Sequence, residues 1–133
     1  MMKIILMFVI FFLDYGTSCC SEIRVTLDGT LKRIHSSRAG TYHIASGFVN
    51  KRFHWNKIHG DQSIWYNNIH NYWSIGHSTD LGSDIKGLKS IWEEECPASK
   101  NRFKYNNGST WVLPPFDEFT IQCIEENIMN STL

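Results

Sequence analysis

Two hydrophobic patterns divide this chain. Ile4 to Leu13 contain no polar residue and follow Met1-Met2-Lys3. From Thr41 onward, short aromatic and β-branched runs alternate with clusters of Gly, Asn, Ser, Asp and Pro. Runs of that kind, bounded by turn formers, predict strands. They are expected at Thr41–Ala45, Arg52–Trp55, Ser63–Asn67, Tyr72–Ile75, Leu88–Trp92, Arg102–Tyr105, Thr110–Val112 and Phe119–Cys123. Strands this short at this spacing fit an all-β fold, a small single-domain antiparallel meander or barrel. Asn107-Gly108 marks a hairpin, because a type I′ turn needs positive φ at both central residues. Phe103, Tyr105 and Trp111 are expected on one face of that hairpin. No helix of convincing length is predicted before Glu118. Residues 21–40 read as polar and irregular, with a short strand at Val25-Thr26-Leu27 and a linker at 36–40.

The N-terminal pattern has a separate meaning. A short positive segment followed by about ten apolar residues is the secretory signal pattern. Such a helix spans about 15 Å, half a bilayer core, which argues against a permanent anchor. Cleavage after Ser18 places Gly16 and Ser18 at the two small-residue positions, and cleavage after Cys20 places Ser18 and Cys20 there. The C-terminus shows neither a lipid-anchor tail nor a retrieval tetrapeptide. The expected organisation is a signal peptide over 1–20, a polar segment over 21–40, a β domain over 41–123 and a frayed tail over 124–133. The expected location is secreted and extracellular, with no membrane span.

Four cysteines, Cys19, Cys20, Cys96 and Cys123, would meet an oxidising compartment there. One disulfide, Cys96–Cys123, is expected, closing a loop of about 28 residues and contributing roughly 3 kcal/mol. Cleavage after Cys20 removes the other two. Cleavage after Ser18 keeps them, free or linking chains, so the product is a monomer or a disulfide-linked dimer.

Charge balances overall but not along the chain. Ser21 to Gly60 hold seven basic and two acidic residues, and the chain from Asp61 holds five basic and ten acidic. This uneven distribution suggests either pairing within the fold or a basic face over 32–57 for a sulfated glycan. Zero overall charge gives no reason to expect a nucleic-acid partner.

The stretch from Tyr42 to Cys123 carries Gly47-Phe48-Val49-Asn50-Lys51-Arg52, Ile64-Trp65-Tyr66, Tyr72-Trp73-Ser74-Ile75-Gly76, Cys96-Pro97 and Ile121-Gln122-Cys123. Over about 80 residues it resembles a short aromatic-rich β module of invertebrate extracellular proteins. The resemblance implies architecture and an extracellular location, and no established activity.

Candidate chemistry is sparse. Six histidines lack metal-site spacing, and no metal or cofactor is expected. His77, Ser78 and Asp80 offer a base, a nucleophile and a carboxylate, but triads are spatial rather than sequential. Asp80 to Asp84 could form a Ca²⁺ loop or a plain turn. Glu93-Glu94-Glu95 could be an acidic pair for glycoside chemistry or a solvated face. The aromatics are the better lead. Neighbours in a strand point to opposite faces, so burying Trp65 exposes Tyr66, and burying Trp73 exposes Tyr72. Trp55, Tyr66 and Tyr72, with Lys51 and Arg52, form the expected binding set for a glycan or another extracellular protein. The alternative is that both sheet faces are covered. Sequons at Asn107 and Asn130 are expected to carry N-linked glycans. The leading function is a non-catalytic binding or matrix-type module. The alternatives are a small secreted hydrolase and a disulfide-linked structural protein.

Overall fold

A computed structural model describes residues 19–83, 87–98 and 101–124. The expected signal segment, Asp84, most of the C-terminal tail and Asn130 lie outside the described residues.

Among the described residues, nine strands form one antiparallel sheet: β1 Glu22–Leu27, β2 Gly40–Ile44, β3 Trp55–Lys57, β4 Gln62–Asn67, β5 Tyr72–His77, β6 Leu88–Ser90, β7 Phe103–Asn106, β8 Trp111–Val112 and β9 Phe119–Cys123. Their order is β8-β7-β6-β5-β4-β3-β2-β1-β9. The middle is a meander, as short turns between consecutive strands favour. The sheet curls into a half-barrel around one apolar row. Ile44, Trp55, Ile64, Ile75, Leu88, Tyr105 and Val112 stand directly opposite one another across seven strands. A second inner row holds Tyr66, Trp73 and Phe103. Phe103 meets Phe119 of β9 at 5.1 Å between ring centroids, so aromatic packing draws the two ends of the sheet together.

The 21–40 stretch belongs to this sheet. The strand expected at Val25–Leu27 runs from Glu22 to Leu27, with Ile23, Val25 and Leu27 buried between exposed Arg24 and Thr26. A seven-residue helix, α1 Gly29–His35, follows and turns Leu31 and His35 inward. No helix was expected here, because two inward residues in seven make too short a stripe to read. Gly29 sits at φ +60°, a left-handed conformation that L side chains rarely adopt, and a Cβ there would also displace the end of the Glu118 side chain, 2.5 Å away.

The disulfide pairing corrects the sequence reading. Two bridges form, Cys19–Cys96 and Cys20–Cys123, and no Cys96–Cys123 bond exists. The reason is strand order. β1 pairs with β9 so that Ile23 faces Cys123, which brings Cys20 to the end of the same ladder. The adjacent Cys19 reaches the loop after β6. Adjacent residues of an extended chain point opposite ways, so each can hold a different partner. All four cysteines are thereby spent inside the chain, leaving no thiol to link two copies.

His35 makes the interior sensitive to acid. Its Nε2–H donates to the Asn106 carbonyl at 2.7 Å, and its buried Nδ1 has no partner among the described residues. Protonation would place an unpaired N–H and a charge in the core. Burial lowers the His35 pKa below 6.5, against the raising effect of the Asn106 bond and with a smaller lowering effect from Arg38. The unfolded chain then binds a proton that the folded one refuses. Stability should be complete above pH 6.5 and fall as the pH drops from there toward the folded pKa. Urea midpoints at pH 7.5 and pH 5 check this. His35→Gln should flatten part of the fall, the remainder coming from His54, whose pKa burial also lowers. An unchanged slope would refute the assignment to His35.

Candidate binding surface

Both faces of the central strands are covered. β4 is buried at all six positions. Tyr66 points into the barrel beside Trp73, at 5.4 Å between centroids. Trp65 points outward, yet its Nε1–H donates to the Ser83 carbonyl in the segment that folds back after β5. Asn50 clips the same region, its Nδ2 donating to the carbonyls of Tyr66 at 2.7 Å and Gly82 at 3.3 Å. Alternation is therefore kept, but it does not expose Tyr66.

The expected binding set disperses accordingly. Trp55 is fully buried, and its Nε1–H donates to the Cys20 carbonyl at 3.0 Å. Tyr66 lies under Arg52, whose guanidinium sits 3.7 Å from the ring centroid. Burial raises the Tyr66 pKa, and the bond from its hydroxyl to Glu93 adds to this. Arg52 also donates to the Glu94 carbonyl at 3.0 Å. Arg52 is thus tied to its own fold. Tyr72 points outward but is only 8% exposed. Lys51 alone of the five is solvent-exposed, at a hairpin tip where Asn50 and Lys51 have φ of 53° and 69°. That tip has the type I′ signature. Asn107-Gly108 does not: only Gly108 has positive φ there, and the loop is held by Asn107 Oδ1, which accepts the N–H groups of Ser109 and Thr110.

The charges over 32–57 do not converge either. Lys57 donates to the Ser37 carbonyl, and Arg38 donates through Nε to the Ile75 carbonyl while the Arg38 carbonyl accepts the Tyr42 hydroxyl. A different trio comes together. Lys89 of β6 stands directly opposite Lys104 of β7, and Arg102 lies two residues before Lys104 on the same outward face. None of the three forms an ion pair among the described residues. Two of the cations rest on aromatic rings: Lys89 Nζ lies 4.1 Å from the Trp111 centroid and 5.3 Å from that of Tyr72, and the Arg102 guanidinium, which also donates to the Pro114 carbonyl at 3.0 Å, lies 4.4 Å from that of Phe116. Trp111 therefore faces away from Phe103 and Tyr105, contrary to expectation. It pairs with Asn106, and directly opposed residues share a face. Phe116 is 80% exposed. Period two could have found this strip, since inward Phe103 and Tyr105 force Arg102 and Lys104 outward. The linear charge count hid it, because acidic loop residues make that half of the sequence negative.

The other candidates resolve into local structure. His77 does not approach Ser78 as a base. Its Nδ1 accepts from the Thr79 N–H and hydroxyl, and its Nε2–H donates to Asp61 at 2.9 Å. Asp61 has a lowered pKa, chiefly through the hydrogen bond from Gln62 and secondarily through His77. Ser78 bonds to Ser63, whose hydroxyl donates to Asn56. This is a turn cap, with nucleophile and base engaged elsewhere. Glu93 is held by the Tyr66 hydroxyl. Among the described residues, no three of the His, Cys, Asp and Glu side chains gather to hold a metal ion, and no helix is long and apolar enough to cross a membrane. The structure thus shows a small disulfide-stabilised all-β domain with a buried aromatic cluster. No protein-family model, curated protein or solved structure matches the chain.

Proposed function

We propose that this protein is an exported, non-catalytic binding module for acidic glycans, recognised through the strip of Lys89, Arg102 and Lys104 with Trp111 and Phe116. The observation that carries the reading is the direct cross-strand pairing of Lys89 with Lys104. Like charges placed opposite each other in a sheet are destabilising. A ligand sulfate or carboxylate relieves that repulsion and forms charge-assisted hydrogen bonds. Drawing the cations off Trp111 and Phe116 also frees two ring faces for stacking on sugar. The resemblance to extracellular β modules agrees with this reading, as does the Asn107 sequon. There Ser109 donates to Asn107 Oδ1 through both its N–H and its hydroxyl, on an exposed tip suited to an N-linked glycan.

Retention on immobilised heparin tests the reading. The protein should bind at low salt and elute as salt rises, since screening weakens exposed charge contacts. Replacing Lys89, Arg102 and Lys104 together by glutamine removes three contacts of about 1 kcal/mol each, or about a hundredfold in affinity. Replacing Lys32 and Arg33 of α1 should leave retention nearly unchanged. Equal loss in both variants would mean that net charge, not the strip, drives binding.

A further inference from the structure

The two disulfides bear on where the precursor is cut. We infer that export processing hydrolyses the Ser18–Cys19 peptide bond, so that the folded product begins at Cys19. The inference rests on the exported reading above. In the reaction, water adds across the amide. The Ser18 carbonyl gains the hydroxyl, the Cys19 nitrogen gains the proton, and residues 1–18 leave with a new carboxylate. The reagent is a secretory protease that accepts small residues one and three positions before the cut, which Ser18 and Gly16 supply.

The sequence offered cuts after Ser18 and after Cys20, and the expected signal peptide over 1–20 took the second. The fold separates the two. Cys20 is only 4% exposed, and its carbonyl accepts the indole N–H of fully buried Trp55 at 3.0 Å. The next carbonyl, that of Ser21, accepts the Ile44 N–H at 2.8 Å, continuing the β1–β2 ladder. A cut after Cys20 would remove the acceptor of Trp55 and put an ammonium next to its site. It would also remove one partner from each bridge, leaving Cys96 and Cys123 unmatched by their native partners. A cut after Ser18 keeps both bridges and the Cys20 carbonyl that Trp55 uses.

A second observation points the same way. Cys19 is bridged to Cys96, and its Sγ lies 3.7 Å from the Glu95 carbonyl oxygen. Glu93, Glu94 and Glu95 form no ion pair among the described residues, although three like charges stand in a row. Cleavage after Ser18 creates an α-ammonium on the residue fastened beside that run. An α-amino group of ordinary pKa, about 7.7–8.0, is mostly charged at neutral pH. In the uncut precursor the same nitrogen is a neutral amide.

The test uses the full precursor expressed in secreting eukaryotic cells. The protein from the medium is stripped of N-glycans, the mass released reporting on the sequons, and weighed intact before and after reduction. The expected product begins at Cys19 and gains four hydrogens on reduction, two for each bridge. An unreduced peptide map should show one peptide holding Cys19 and Cys20 joined to both the Cys96 and the Cys123 peptides. A secreted product that begins at Ser21 and gains two hydrogens would overturn the inference and restore a Cys96–Cys123 bond, while leaving the exported reading intact. Retention of the whole precursor inside the cell would instead overturn the exported reading and this inference with it.

Discussion

Replacing Cys20 and Cys123 together by alanine should lower the thermal midpoint by about 12–16 °C. The bridge joins residues 103 apart. With Cys19–Cys96 kept, it closes a shorter loop that runs through that bridge and the chain from Cys96 to Cys123, and so removes chain entropy worth roughly 3–4 kcal/mol from the unfolded state. Small domains have only about 5–15 kcal/mol of stability, and near this size each kcal/mol shifts the midpoint by about 4 °C. The bond also fixes β9 to the start of β1, and β9 has a strand neighbour on one side only. Its Phe119 is the residue that meets Phe103 across the opening of the half-barrel. Losing the bridge therefore loosens the seam as well as the chain end. Alanine keeps the buried Cys20 position apolar, so the change reads the cross-link and not a buried hydroxyl. Thermal unfolding by circular dichroism measures it, and a shift below about 3 °C would mean that the strand ladder alone holds the seam.

Trp73→Ala should cost about 4 kcal/mol, near the middle of the range for removing a fully buried Trp or Phe. Trp73 is fully buried, and its ring meets those of Trp55 at 5.9 Å and Tyr66 at 5.4 Å in edge contacts. Its Nε1–H donates to the Glu94 carbonyl at 2.7 Å and so ties the loop after β6 to the core. The Arg52 guanidinium, 5.8 Å from the same ring, shares that carbonyl. Truncation opens a cavity under Arg52 and frees the loop that carries Cys96. Trp73→Phe keeps most of the ring and loses the hydrogen bond, which should cost about 1–2 kcal/mol. Urea unfolding separates the two variants. If both cost the same, the hydrogen bond dominates and the packing argument is wrong.

Much of the fold was legible because its signals are local. Short aromatic runs between turn residues located β2 and β4 to β9 to within a few residues, and the antiparallel meander follows from how little chain separates them. Alternation also placed Phe103 and Tyr105 together on one face. Other features failed for identifiable reasons. Arg52–Trp55 was expected as a strand, but Val49 and Arg52 pair across the Asn50-Lys51 turn, and the strand begins at Trp55. That turn takes positive φ without glycine, so it carries no sequence mark. Tyr66 was expected to be exposed because alternation sets Trp65 and Tyr66 on opposite faces without saying which of them faces the core, and it is Tyr66 that points inward beside Trp73.

The candidate site was less legible than the fold. Lys51 was chosen and is exposed. Arg52 was chosen on its charge, which is spent on Tyr66 and Glu94. Lys89, Arg102 and Lys104 were passed over because a running charge count averages them with acidic loops that lie elsewhere in space.

By itself, the sequence determined strand periodicity, the turns marked by Gly, Asn, Asp and Pro clusters, and the apolar content of the core, since each depends on residues within a few positions of one another. It also determined that four cysteines exist, but not how they pair. Pairing, the covering of the outer face of β4 and β5, and the meeting of Lys89 with Lys104 were decided only by tertiary structure. Each depends on which distant strands become neighbours, and that is set by the one register in which the inner apolar row closes.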